Sequence, residues 1–187
     1  MKAGTRNGLF QILSVLAFVA IASGAQTTTQ KLFDSASYIP VGTSPWQVAV
    51  GDFNRDGVQD LAVADSGGGV EVLLGKKGGG FRPPVFYAGG QTLEGIAIAD
   101  INGDKIPDIL MADETGDQIV ILLGKGDGSF QSPLTFPAGL QPSYITVADF
   151  NHDGIPDVVI NQRNGSSIGV MLGLSLIHIS EPTRQAE

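Results

Sequence analysis

The chain has 187 residues, with 19 Asp and Glu against 11 Lys and Arg and a formal net charge of −8. That acidity disfavours nucleic acid or an anionic membrane as partner, and the lack of cysteine removes disulfides and lipid-modified cysteine alike. With 42% hydrophobic residues and 26 glycines, the composition describes a packed fold of short elements and many turns, not a collagen-like or disordered chain.

At the start, Lys2 and Arg6 precede an apolar run from Leu9 to Ala22, followed by Ser23-Gly24-Ala25 and the polar Gln26-Thr27-Thr28-Thr29. A charged start, short apolar core and small-residue exit predict a signal peptide over residues 1–25, cleaved after Ala25. The apolar run falls short of the roughly 20 residues a membrane-spanning helix needs. The expectation is therefore export to the periplasm or the cell exterior, with no transmembrane segment in the mature chain.

Beyond Ala25, residues 26–173 read as a repeat. Phe33 opens a strand-like segment that precedes the first of three similar loops. These are Asp52-Phe53-Asn54-Arg55-Asp56-Gly57-Val58-Gln59-Asp60, Asp100-Ile101-Asn102-Gly103-Asp104-Lys105-Ile106-Pro107-Asp108 and Asp149-Phe150-Asn151-His152-Asp153-Gly154-Ile155-Pro156-Asp157. Their starts lie 48 and 49 residues apart, which marks a repeat architecture. Each loop offers oxygen-bearing side chains at positions 1, 3, 5 and 9, a set suited to a hard cation that takes about six to eight oxygens, with calcium the natural candidate. An ordinary acidic turn is the plainer reading of one such loop; three in register argue for the metal. An EF-hand is excluded, because it needs a Glu at position 12 between helices, and position 12 here is Val63, Met111 and Ile160.

The flanks are short β-branched runs. Val48-Ala49-Val50, Ile96-Ala97-Ile98 and Ile145-Thr146-Val147 stand before the loops; Leu61-Ala62-Val63, Ile109-Leu110-Met111 and Val158-Val159-Ile160 follow them. They predict strands with larger residues on one face and small ones on the other, neither face charged, so that neighbouring sheets must cover both. A third strand per repeat runs over 70–74, 119–123 and 168–172 and stops at Gly75, Gly124 and Gly173. A fourth, expected to begin at Phe81 and Phe130, carries Pro83, Pro84, Pro133 and Pro137 and so belongs at a sheet edge.

Loop, phase and the Gly-x-Phe after the third strand (Gly79-Gly80-Phe81 and Gly128-Ser129-Phe130) resemble the FG-GAP or VCBS repeats of integrin-α-like β-propellers, from about Phe33 to Gly173. The resemblance implies an all-β fold: about three four-stranded antiparallel blades, a fragment of a larger propeller of about seven blades. It also implies up to three calcium ions. The side-chain ligands would be Asp52, Asn54, Asp56 and Asp60; Asp100, Asn102, Asp104 and Asp108; and Asp149, Asn151, Asp153 and Asp157, with the carbonyls of Val58, Ile106 and Ile155 at position 7. The middle loop departs from the pattern, placing its glycine at position 4 and Lys105 at the sharp turn of position 6. It is expected to bind most weakly.

Residues 174–187 do not continue the repeat and resemble a translated sequencing adapter, so they are set aside and the chain is expected to be truncated. As a consequence, residues 26–173 alone are expected to associate or to unfold without sharp cooperativity. No Ser/His/Asp or Cys/His set can be assembled, and Gly67-Gly68-Gly69 and Gly78-Gly79-Gly80 join strands without a following helix, against phosphate binding. Trp46 and Tyr144 stand before first strands, where half-buried packing or a sugar-stacking surface are the alternatives. The expected role is a non-catalytic extracellular binding or adhesion module for a protein or carbohydrate ligand. The rival is an accessory propeller region of a larger secreted calcium-dependent hydrolase or lyase acting on polysaccharide or lipid.

Overall fold

A computed structural model describes residues 36–174; the signal-peptide segment, the strand expected at Phe33 and residues 175–187 lie outside them. The chain divides into two units between Tyr38 and Ile39, and every strand belongs to the second. The first sheet comprises β1 (Pro45–Gly51), β2 (Asp60–Asp65), β3 (Gly69–Leu73) and β4 (Val85–Ala88) in that spatial order. The second comprises β5 (Leu93–Ala99), β6 (Asp108–Asp113), β7 (Gln118–Leu122) and β8 (Leu134–Pro137), again in order. The third holds β9 (Pro142–Ala148), β10 (Asp157–Gln162) and β11 (Ile168–Met171). All pairings are antiparallel, and no described residue is helical. This is the expected all-β architecture of propeller-like blades, with three strands in the last blade among the described residues.

The fourth strands start later than expected, at Val85 and Leu134. Phe81 and Phe130 instead form isolated bridges back to Gly75 and Gly124. Prolines at 83, 84 and 133 cannot donate to a ladder, so regular pairing resumes only beyond them.

Alternation decides which faces meet. In the first blade Ala49, Ala62, Ala64, Val70, Val72 and Tyr87 share one side and pack in a single core with Ile96, Ile109, Met111, Val120 and Leu122 of the second. A second core repeats this arrangement one blade on. There Ala97, Leu110, Ile119 and Ile121 meet Ile145, Val158 and Ile160. At the first interface large residues of β5 and β6 fill the relief left by Ala49, Ala62 and Ala64; at the second, only Ala97 and Ala99 leave such relief, and Leu110 takes the place of a second-strand alanine. Each fully buried Ile or Leu contributes about 1.5–3 kcal/mol. Val48 and Val50, the first-blade counterparts of Ile96 and Ile98, are half exposed.

Each first strand also carries a one-residue bulge. The register passes from Pro45 to Gln47, from Leu93 to Gly95 and from Pro142 to Tyr144, leaving Trp46, Glu94 and Ser143 as the extra residues. Bulges re-aim side chains. These three stand at the end of the sheets opposite the acidic loops.

Candidate functional site

The three acidic loops join the first to the second strand of each blade and share one hydrogen-bond pattern. At position 1, Asp52 accepts the N–H groups of Asp56 (3.1 Å) and Gly57 (2.9 Å). Asp100 does the same for Asp104 (3.0 Å) and Lys105 (2.8 Å), and Asp149 for Asp153 (3.1 Å) and Gly154 (2.9 Å). The position 3 amides, Asn54, Asn102 and Asn151, accept the same position 5 N–H through Oδ1 and donate through Nδ2 to the position 5 carboxylate. Asp56, Asp104 and Asp153 in turn accept the N–H of Val58, Ile106 and Ile155, each at 2.8 Å.

Position 9 does something different. Asp60, Asp108 and Asp157 have no exposed surface. One oxygen of each accepts the N–H of position 2, namely Phe53 (2.8 Å), Ile101 (2.9 Å) and Phe150 (2.9 Å). The other accepts the N–H of Gly75 (2.7 Å), Gly124 (2.8 Å) and Gly173 (2.7 Å). A single carboxylate therefore ties loop entry, second strand and the exit of the third strand together. Burial raises the pKa of Asp108 above the ordinary carboxylate value, and the Gly124 and Ile101 N–H groups pull it back. Asp157 is shifted down, chiefly by the Gly173 N–H. Although it too has no exposed surface, it sits in the end blade, where less protein surrounds it, and hydrogen bonding outweighs desolvation there.

The glycine at the strand exit follows from this staple. A Cβ on Gly75, Gly124 or Gly173 would collide with the carbonyl oxygen of Gln59, Pro107 or Pro156 respectively. Left-handed backbone recurs at two positions of every loop. Position 4 has φ of 58° at Arg55, 78° at Gly103 and 62° at His152; position 6 has 81° at Gly57, 64° at Lys105 and 85° at Gly154. The strain inferred at Lys105 is present but not peculiar to the middle loop, because each loop holds one glycine and one non-glycine in this conformation.

Aromatic contacts fix the loop against the next blade. Phe53 is buried and meets Phe130 edge-on at 5.4 Å, and Phe130 meets Tyr87 at 5.2 Å. The Phe53 carbonyl accepts the Gly128 N–H at 3.0 Å. The Gly-x-Phe turn of one blade is thus the seat for the acidic loop of the blade before it.

The donor set suits a hard cation. In each loop the position 1 and position 3 oxygens converge on one N–H, and a carboxylate offers about four acceptor sites, of which these bonds use only some. The residues that would hold the ion are those of positions 1, 3 and 5, with position 9 behind them. Among the described residues no three His, Asp or Glu side chains gather into a cage of carboxylates and imidazoles alone.

At the opposite end of the sheets, the bulge residue Glu94 is buried and its pKa is raised, first by burial and then by the charge of Glu114. Arg163, beyond β10, lies 2.8 Å from Glu94 and 3.0 Å from Glu114, and its guanidinium stands over the Trp46 ring at 5.9 Å. One side-chain cluster thus joins all three blades. Composition and spacing gave no signal for it, since two members stand at bulges and two in the turns after β6 and β10, far apart in sequence. Trp46 and Tyr144, over half exposed, both reach this end.

Compared with protein families, residues 52–111 and again 100–160 match the FG-GAP-like repeat, together more than half of the chain. Comparison with curated proteins gives no match.

Proposed function

Since the chain belongs to the FG-GAP-like repeat family, we propose that its propeller-like repeats form a secreted, calcium-binding module that binds an extracellular partner without catalysing a reaction. One observation carries the calcium reading: three loops with the same oxygen donors, Asp-x-Asn-x-Asp, adopt the same convergent geometry. The bound cation would neutralise carboxylates that otherwise repel one another at a cost of about 1 kcal/mol per close pair even in water. Lys2, Arg6 and the apolar run to Ala22 support export, with cleavage after Ala25. The binding role rests on the family and on the loop-rich end of the sheets, where no catalytic set is drawn together among the described residues.

Melting curves of the full chain in millimolar calcium and in excess chelator test the metal. Sites of about 0.1–1 mM affinity would each add roughly 1 kcal/mol by mass action, so calcium should raise the melting temperature. Superimposable curves would rule out a structural metal.

A further inference from the structure

Between the second and third blades, at the end opposite the acidic loops, the structure opens a cleft of about 410 Å³ lined by Glu114, Thr115, Asp117, Leu140, Gln141 and Asn164. The corresponding turn of the first blade is built from smaller residues. There the turn from β2 to β3 is Ser66-Gly67-Gly68; the Gly68 carbonyl accepts the N–H groups of Gly89 (3.0 Å) and Gly90 (3.1 Å), and a Cβ on Gly68 would strike Gly90. From β6 to β7 the turn is one residue longer, Glu114-Thr115-Gly116-Asp117; the Asp117 carbonyl likewise accepts the Ala138 N–H (2.9 Å), but polar side chains stand where the first blade has glycine. The lining of the cleft thus departs from the repeat in its side chains.

This lining is held at a conformational cost. Outside the acidic loops, the only non-glycine residues with left-handed backbone among those described are Asp117 (φ 54°) and Gln141 (φ 49°), and both line this cleft. They hold each other, with the Gln141 N–H donating to Asp117 Oδ1 at 2.8 Å. The Asn164 amide donates to the Gln141 side chain. Such strain persists only where surrounding contacts enforce it.

We propose that this cleft is a binding site for a neutral carbohydrate. Carboxylates and amide oxygens accept from pairs of sugar hydroxyls, amide and hydroxyl groups donate to them, and the exposed Leu140 offers an apolar surface to ring C–H groups. The volume lies within the usual range of small-molecule sites. An anionic ligand is disfavoured: Arg163, the cation adjoining the cleft, is already held by Glu94 and Glu114, and two lining residues are acids. The proposal rests on the binding-module reading and is independent of calcium, because the acidic loops lie at the far end of the strands.

Saturation-transfer NMR on the full chain tests it, using neutral hexoses, fucose, N-acetylglucosamine, their uncharged disaccharides and glucuronate at millimolar concentration, with and without calcium. At least one neutral sugar should receive saturation. Asp117→Gly, which installs the residue type of Gly68 and suits the positive φ, together with Asn164→Ala, should weaken binding at least about tenfold while the melting temperature reports an intact fold. Arg55→Gly, at the opposite end, should leave binding unchanged. Saturation of no neutral sugar, preference for glucuronate, or full binding by the folded double variant would overturn the assignment. A chelator effect on melting with no sugar bound would sink this site and spare the metal reading.

Discussion

Asp60, Asp108 and Asp157 hold the repeat together with oxygens that each meet a backbone N–H, so an amide cannot replace them. Asp108→Asn keeps the shape but turns an NH₂ toward a donor, either Ile101 or Gly124. Leaving one buried N–H unpaired should lower stability by about 1–3 kcal/mol, read as a reduced midpoint in urea with unchanged slope. The left-handed residues allow a comparison across loops. Arg55→Gly and Lys105→Gly should each relieve left-handed strain of about 1–2 kcal/mol, partly offset by about 0.5–1 kcal/mol of glycine flexibility in the unfolded chain. His152→Gly should give a similar small gain. A gain confined to Lys105→Gly in parallel denaturation curves would restore the idea that the middle loop alone is strained.

At the scale of the element, the close approach at strand exits makes Gly75 and Gly124 hard to replace. Alanine at Gly124 must push the chain away from Pro107 and stretch the Asp108 staple, so Gly124→Ala should cost roughly 2 kcal/mol or more. Alanine at Gly78, where an added Cβ meets nothing within 4 Å but φ is 95°, should cost about 1 kcal/mol from backbone strain alone. Thermal melts of the two variants separate collision from strain. These elements are largely legible in the sequence, because loop chemistry, two-residue alternation and the terminal glycine are local and occur three times. What escapes is non-local. The bulges at Trp46, Glu94 and Ser143 depend on register against a partner strand. Phe53 and Phe130 meet only once two blades are stacked, and the cleft by Asp117 is lined by residues distant in sequence that only the fold brings together.

Across the whole molecule, the cluster of Trp46, Glu94, Glu114 and Arg163 is the single place where a side-chain ion pair links the second and third blades among the described residues. Glu94 is 4% exposed, and its raised pKa means that its protonated form is favoured by folding. That contribution is present in full below the unfolded value of about 4.5 and is lost as pH rises through the folded pKa. Arg163 opposes the shift, so Arg163→Gln should raise it further. The variant should be destabilised near neutral pH by about 1–2 kcal/mol, modest because Arg163 is itself partly exposed. The deficit should shrink on acidification toward about pH 4.5 as Glu94 takes up a proton. Melting temperatures across that range check the sign; a constant gap at every pH would show that the loss is one of packing on Trp46.

The blades meet by unlike faces, each sheet turning one set of side chains to the blade before it and another to the blade after it. Stacking therefore has a polarity, like coins with heads and tails. Two copies that met by repeating this interblade packing could not be related by a two-fold axis, because the packing sets unlike faces together. Any such contact is heterologous: it closes into a ring when the rotation per blade divides a full turn, and otherwise runs on as a filament.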